Sequence, residues 1–260
     1  MMNPIGVFDS GIGGLSILKC LREALPYESF VYYADSAHNP YGDKTDAEVI
    51  ERSLWIADHL IQKHQIKALV VACNTATAAA IHLLRARYPN LPLVGIEPAL
   101  KPSIAATKTG RIAVLATRST LSSEKFLTLK SSFNGLAEFI CTPCIGLANM
   151  IERYAAGEAT DDAVCNACSD FLVSTGVFGN RAGEIDTLVL GCTHYALIEP
   201  LFRQLLGRDI QIVDNGTAVA KRLTSLLTTS TTPNKTSTVT LISSGNSLLV
   251  KQAASRWLSH

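Results

Sequence analysis

Short apolar runs rich in β-branched residues recur along this chain, each separated from the next by a stretch of helical periodicity, and few folds satisfy that alternation. The runs are Ile5–Phe8, Phe30–Tyr33, Ala68–Ala72, Leu93–Ile96, Ile112–Ala116, Phe139–Cys141, Thr187–Leu190 and Ile210–Val213. A strand that is apolar on both faces is buried on both, and strands joined through helices pair in parallel. The pattern therefore predicts the α/β class. Between the runs, Leu15–Leu25 follows a glycine-rich turn and ends before Pro26, while Ala47–His64 sets Val49, Ile50, Ile56, Leu60 and Ile61 at helical spacing. Both read as crossover helices.

The same order occurs twice. Ile-Gly-Val-Phe-Asp-Ser at 5–10 is echoed by Ile-Ala-Val-Leu-Ala-Thr at 112–117, and Ala-Leu-Val-Val-Ala-Cys-Asn-Thr at 68–75 by Thr-Leu-Val-Leu-Gly-Cys-Thr-His at 187–194. Self-similarity at this scale implies two related α/β units. Pro98 and Pro102 break the pattern after the first, so the expected division is residues 98–212 as the second unit, with 1–97 and 213–260 outside it. The tail contains a polar stretch at 228–238, expected to be a mobile loop, then a strand over Val239–Ile242 and a helix over Ser247–Leu258.

Charge narrows the partners. Lys and Arg total 23 against 22 Asp and Glu, with no block of like charge, so neither a nucleic acid nor an anionic membrane surface is indicated. The expected partner is a small molecule. The amino terminus reaches Asp9 after a very short apolar stretch, unlike a secretion signal, and Ala68–Leu84 is interrupted by Asn74, Thr75, Thr77 and His82, too polar for a bilayer span. Seven cysteines, an odd number, then point to reduced thiols in the cytoplasm.

Ligands of parallel α/β sheets bind beyond the carboxyl ends of strands, beside helix amino termini. Asp9-Ser10, Cys73-Asn74-Thr75, Thr117 and Cys192-Thr193-His194 all occupy that position. A thiol just before a helix is favoured as thiolate by the helix dipole and by orphan N–H groups, which is what a proton-abstracting base requires. Against this stand plainer readings: each cysteine as a small buried hydrophobe, and Asn74, Thr75 and Thr193 as helix caps. His194 is either a polar loop residue or a group that tunes Cys192. The matched placement of Cys73 and Cys192 within a repeat favours chemistry.

Two other motifs are weighed and set lower. Asp-Ser-Gly-Ile-Gly-Gly at 9–14 lacks the spacing of a dinucleotide loop, and no nucleotide cofactor is expected. Cys141-x-x-Cys144 with Cys165-x-x-Cys168 has the spacing of a structural zinc site, but Ile145–Tyr154 and Ala163–Val173 show helical periodicity, which puts Cys165 and Cys168 on a helix face and not on a zinc knuckle. No metal is expected.

Nearly the whole chain resembles the glutamate racemases. The segments that carry the resemblance are Phe-Asp-Ser-Gly-Ile-Gly-Gly (8–14), Ala-Asp-Ser-Ala-His-Asn-Pro-Tyr-Gly (34–42), Ala-Cys-Asn-Thr-Ala-Thr (72–77), Val-Gly-Ile-Glu-Pro-Ala (94–99), Leu-Ala-Thr (115–117), Gly-Cys-Thr-His-Tyr (191–195) and Val-Asp-Asn-Gly (213–216). The resemblance implies two pseudo-symmetric, doubly wound parallel-sheet domains with the active site between them, the chain returning to the first at its carboxyl end. It implies cofactor-independent exchange of the α-proton between L- and D-glutamate by two cysteines, Cys73 serving D-glutamate and Cys192 serving L-glutamate, and a role in supplying D-glutamate for peptidoglycan. Carried over by position, Asp9, Ser10, Tyr41, Gly42, Asn74, Thr75, Thr193 and His194 bind substrate, Thr117 is a further contact, Asp9 and His194 assist the thiols, and Glu152 is an auxiliary acid. A homodimer remains open as a further partner.

Three departures remove no proposed catalytic group: Ala196 where the family has proline, Ser119 where it has glycine, and Asn215 where it has serine. Aspartate or hydantoin racemisation on the same scaffold is the nearest alternative, and a zinc-stabilised or redox-sensing binding protein the more distant one.

Overall fold

The computed structural model describes residues 3–227 and 237–258. Most of the polar stretch at 228–238 and the first two residues lie outside them. The chain divides into two compact units, residues 1–96 with 216–260 and residues 97–215.

The first unit opens with β1 (Ile5–Asp9), α1 (Leu15–Ala24), β2 (Phe30–Ala34), α2 (Asp46–His64), β3 (Ala68–Val71), α3 (Asn74–Arg87) and β4 (Leu93–Gly95). The second continues with α4 (Leu100–Ala106), β5 (Arg111–Ala116), α5 (Arg118–Ser122), α6 (Glu124–Ser131), β6 (Glu138–Pro143), α7 (Leu147–Ala155), α8 (Asp161–Thr175), β7 (Thr187–Leu190), α9 (Thr193–Leu197), α10 (Glu199–Leu206) and β8 (Gln211–Val213). The chain then returns with α11 (Gly216–Leu226), β9 (Val239–Ser243) and α12 (Ser247–Trp257).

All strand pairings are parallel, and the sheet orders are β4-β3-β1-β2-β9 and β6-β5-β7-β8. Four strands of the first sheet repeat the order of the second, β1 taking the place of β5 and β3 that of β7. The register repeats as well: Phe8 lies opposite Val71 as Leu115 lies opposite Leu190. The predicted fold, a pair of related parallel-sheet α/β domains, is what is observed. β9 is the strand without a counterpart, and it extends the first sheet by pairing with β2.

The physical basis of each sheet is burial on both faces. Every residue of β1, β3 and β7 is buried, and helices cover the apolar surface. Between Ile56, Leu60, Ile81, Leu84, Leu69 and Val71 the first unit forms an apolar core, and the second does so with Leu100, Ile112, Val114, Phe126 and Val189. Burial of a single such side chain contributes about 1.5–3 kcal/mol. The helix starts agree with the sequence signals, α2 most clearly: Thr45 accepts from the Glu48 N–H while Glu48 accepts from the Thr45 N–H, a reciprocal capping box. No helix among the described residues is long and apolar enough to cross a membrane.

One close approach shapes the edge where β1 ends. The Gly14 N–H donates to Asp9 Oδ2 at 2.6 Å, and a Cβ built on Gly14 would meet Asp9 Cβ at 2.7 Å and Ala72 Cβ at 3.1 Å. Those neighbours are fixed to the backbone and cannot swing aside. Replacing Gly14 by Ala is therefore expected to lower unfolding stability by about 1–3 kcal/mol, measured by urea denaturation, whereas Gly110→Ala, where the space is open, costs only the strain of its positive φ.

Candidate active site

Cys73 stands two residues beyond β3, in extended backbone (φ −121°, ψ 124°), and is itself the N-cap of α3: its sulfur accepts from the Ala76 N–H at 3.5 Å. The turn has this form because β3 ends when the Ala72 N–H reaches the Phe8 carbonyl (2.8 Å), and the first N–H groups of α3 need an acceptor. Sulfur fills that need. A thiol that caps a helix of fourteen residues is held against the positive end of the dipole, which favours its thiolate. The Cys73 thiol also donates to Ser10 Oγ at 3.9 Å, and Ser10 and Asp9 are both buried.

The neighbouring Asn74 is 5% exposed, and neither its amide oxygen nor its amide nitrogen has a hydrogen-bond partner in the protein. A buried primary amide left unsatisfied costs about 1–3 kcal/mol. Asn74 does not cap the helix, since Cys73 does so, and its amide keeps both donor and acceptor unused within the protein. Thr75 is buried one residue further on. Tyr41 is buried within the same core as Cys73, and Gly42 follows it in a short turn of 3₁₀-helix, Tyr41–Asp43. Burial, with the Asp35 carboxylate beside it, pushes the Tyr41 hydroxyl far above its ordinary pKa, and the nearby Cys73 adds to the shift. This hydroxyl stays protonated.

In the second unit Cys192 stands in the equivalent place, two residues beyond β7, again in extended backbone (φ −137°, ψ 138°) and buried. The Gly191 N–H reaches the Leu115 carbonyl at 2.7 Å, repeating the Ala72 bond. Here the sulfur makes no capping bond. Its partner is His194, whose Nδ1 lies 3.8 Å from the sulfur, while His194 Nε2 meets Glu152 Oε1 at 2.7 Å. His194 is 2% exposed and Glu152 9%. Burial alone would depress the imidazole pKa, but Cys192 and Glu152 on its two nitrogens overcome it and raise the pKa well above the ordinary value. Thr193 is buried between the two.

Thr117, at the end of β5, caps α5 by accepting from the Thr120 N–H at 3.2 Å, and its hydroxyl donates to Thr120 Oγ1 at 2.9 Å. All seven cysteines are free thiols, and among the described residues no group of three or more His, Cys, Asp or Glu could hold a metal ion. Cys165 and Cys168 lie on α8, as the periodicity predicts. Burial pushes the Cys168 thiol up to about 12 and that of Cys144 higher still, so both are neutral.

Two residues at these strand ends are not singled out by the sequence reading. Tyr195, fully buried, donates its hydroxyl to the Cys144 carbonyl at 3.2 Å and steadies the turn that carries Cys192. Asp35 comes directly after β2, and its N–H donates to the Asp9 carbonyl at 2.9 Å. Its place at the carboxyl end of a strand is the signal that could have flagged it.

A family model described as Asp/Glu/Hydantoin racemase matches residues 5–223, so the chain belongs to that family of racemases. Within it, the chain is 46% identical over 224 residues to a glutamate racemase of Stutzerimonas stutzeri, covering 86% of this chain and 81% of that one. Its structure is similar to that of Escherichia coli glutamate racemase in complex with L-glutamate and the activator UDP-MurNAc-ala (TM-score 0.82, 29% identity, 98% of this chain and 96% of that one). It is similar also to glutamate racemase from Francisella tularensis in complex with D-glutamate (TM-score 0.80, 28% identity, 99% and 94%).

The raised His194 pKa bears on stability. A histidine whose pKa is raised by folding contributes stability that is complete below its ordinary pKa of about 6.5 and is lost as pH rises through the folded value. Glu152→Gln removes one cause of the shift. The variant should lose about 1.5–3 kcal/mol in urea unfolding at pH 6, and measurably less at pH 10.

Proposed function

We propose that this protein interconverts L- and D-glutamate without a cofactor, with Cys73 and Cys192 as the two proton carriers. The observation that carries this reading is the matched pair of buried thiols, each two residues beyond an equivalent strand of its own unit, one capping a helix and the other against a buried histidine. Similarity to glutamate racemases, two of them solved with the two enantiomers of glutamate, supports the substrate.

The reaction needs one sulfur on either face of the α-carbon. One thiolate takes the α-proton and becomes a thiol, leaving the electron pair of the broken C–H bond on an enolate-like carbanion. The opposite thiol gives its proton to the other face and becomes the thiolate, so a turnover in the reverse direction begins from the exchanged protonation. Cys192 serves as base toward L-glutamate and Cys73 toward D-glutamate. His194, held by Glu152, lies against the Cys192 sulfur; at Cys73 the α3 dipole favours the thiolate, and Ser10 accepts from the thiol when the proton is on sulfur. The α-proton is weakly acidic, so hydrogen-bond donors aimed at the developing charge supply much of the stabilisation. Asn74, unsatisfied in the free protein, is the first of these; Asp9, Ser10, Tyr41, Gly42, Thr75, Thr117, Thr193 and His194 complete the binding set. D-glutamate for a cytoplasmic peptidoglycan-precursor pathway is the product such an enzyme supplies.

Replacing Cys73 or Cys192 by Ser should lower racemisation by about 10²–10⁴-fold, the usual contribution of a positioned acid or base. Loss of circular dichroism from L-glutamate, and deuterium entry at the α-carbon in heavy water without added cofactor, report the two events. Undiminished turnover in either variant contradicts the two-thiol mechanism. Preference for L-aspartate or a hydantoin over glutamate in the same assay would move the substrate to the other chemistries of the family.

A further inference from the structure

Asp35 is fully buried and carries a full set of partners, yet no step above uses it. Arg52, from α2, grips it with both arms of the guanidinium, Nε to Oδ2 at 3.0 Å and Nη2 to Oδ1 at 2.9 Å. The ring Nδ1 of His38 lies 3.0 Å from Oδ1, and the Tyr41 hydroxyl donates to Oδ2 at 2.6 Å. Burial opposes the charge on Asp35, but the bonds from Arg52, Tyr41 and Ser244 outweigh it and hold the carboxyl below its ordinary pKa, so it is ionised. The backbone around it is tied on both sides: the Asp35 N–H to the Asp9 carbonyl, the N–H of Ser244, just beyond β9, to the Ala34 carbonyl, and the Ala37 N–H to Ser244 Oγ at 3.1 Å.

The consequence falls on Tyr41 and Gly42. With its hydroxyl on Asp35 and its carbonyl accepting from the Lys44 N–H at 3.1 Å, what Tyr41 can offer an anion is its backbone N–H, next to that of Gly42, which has no side chain in the way. An N–H donor is only as well placed as the segment that carries it. That segment, residues 36–43, contains two short 3₁₀ turns and no longer helix or strand, so its own backbone does little to hold it. A bidentate guanidinium–carboxylate pair at its base supplies the missing constraint.

We propose that Asp35, clamped by Arg52, is a positioning residue of the reaction: through the Tyr41 hydroxyl it sets the 36–43 segment so that the Tyr41 and Gly42 N–H groups meet a substrate carboxylate beside Cys73. Asp35 touches no reacting atom. The inference rests on the racemase reading, and its test has one arm that does not. In the ligand-free protein, Asp35→Asn should speed amide hydrogen exchange across residues 36–43 by about tenfold or more, the scale set by a lost charged hydrogen bond, while β1 and β3 keep their protection. In the enzyme assay the same variant should raise KM for L-glutamate by about tenfold with kcat within about threefold.

A merely structural role would act independently of Tyr41, and a double-mutant cycle separates the two. On a Tyr41→Phe background, Asp35→Asn should raise KM by no more than about threefold further, because the link is already cut. Multiplying effects, unaltered exchange over 36–43, or faster exchange with unaltered KM each overturn the proposal. Should Asp35→Asn fail to fold, Arg52→Lys, on a partly exposed side chain, keeps the charge and loses the fork; it enters the same cycle with the same expected pattern. Wild-type protein that exchanges no deuterium into glutamate refutes the racemase reading itself, whatever the amide exchange shows.

Discussion

Where a parallel strand stops and a helix begins within a few residues, backbone donors are left without acceptors, and something must satisfy them in a space too tight for a loop. Each unit of this protein meets that constraint at the central strands of its sheet. The last ladder bond is made by the residue after the strand, Ala72 to Phe8 in one unit and Gly191 to Leu115 in the other, and the next residue in line is a cysteine. The junction thereby holds a thiol at a fixed height above the sheet, buried and beside a helix start. The chemistry proposed for this protein uses no more exotic device than that junction, occupied twice by sulfur.

The two junctions solve the same problem differently. In the first unit the sulfur itself caps a long helix, so dipole and N–H groups act on Cys73 directly. In the second the helix is a single short turn and the sulfur makes no cap, and its neighbour is an imidazole braced by a carboxylate. The repeat keeps its backbone register more faithfully than it keeps its neighbours. Cys144 and Asp35 show the same divergence: their N–H groups make equivalent bonds, to Ala116 and to Asp9, yet one side chain is a neutral thiol and the other an ionised carboxylate clamped by arginine.

Much of the fold could be read from the residues. The strands appear where the apolar runs lie, with ends moved by one or two positions, because a segment buried on both faces has no polar choice to make. Cys141, Cys144, Cys165 and Cys168 show the opposite case, in which spacing suggests a metal site and periodicity argues against it; α8 obeys the periodicity. At the site, Asn74 had a capping and a binding reading open to it, and Thr117 a binding one. The structure gives Thr117 a capping bond and takes the cap away from Asn74, since the sulfur of Cys73 accepts in its place.

The chain's own order of residues determined the class of fold, the twofold repeat and the equivalent placement of Cys73 and Cys192, because each is encoded locally: in which side chains avoid water, and in which residue stands next after a strand. Only the tertiary structure decided which side chains surround those cysteines and how the 36–43 segment is held. Glu152 meets His194 across 42 residues of sequence, and Arg52 meets Asp35 across 17. Nothing in spacing or periodicity announces such pairs, since a hydrogen bond depends on which atoms come within about 3 Å, and it is the packing of helices on a sheet that brings them there.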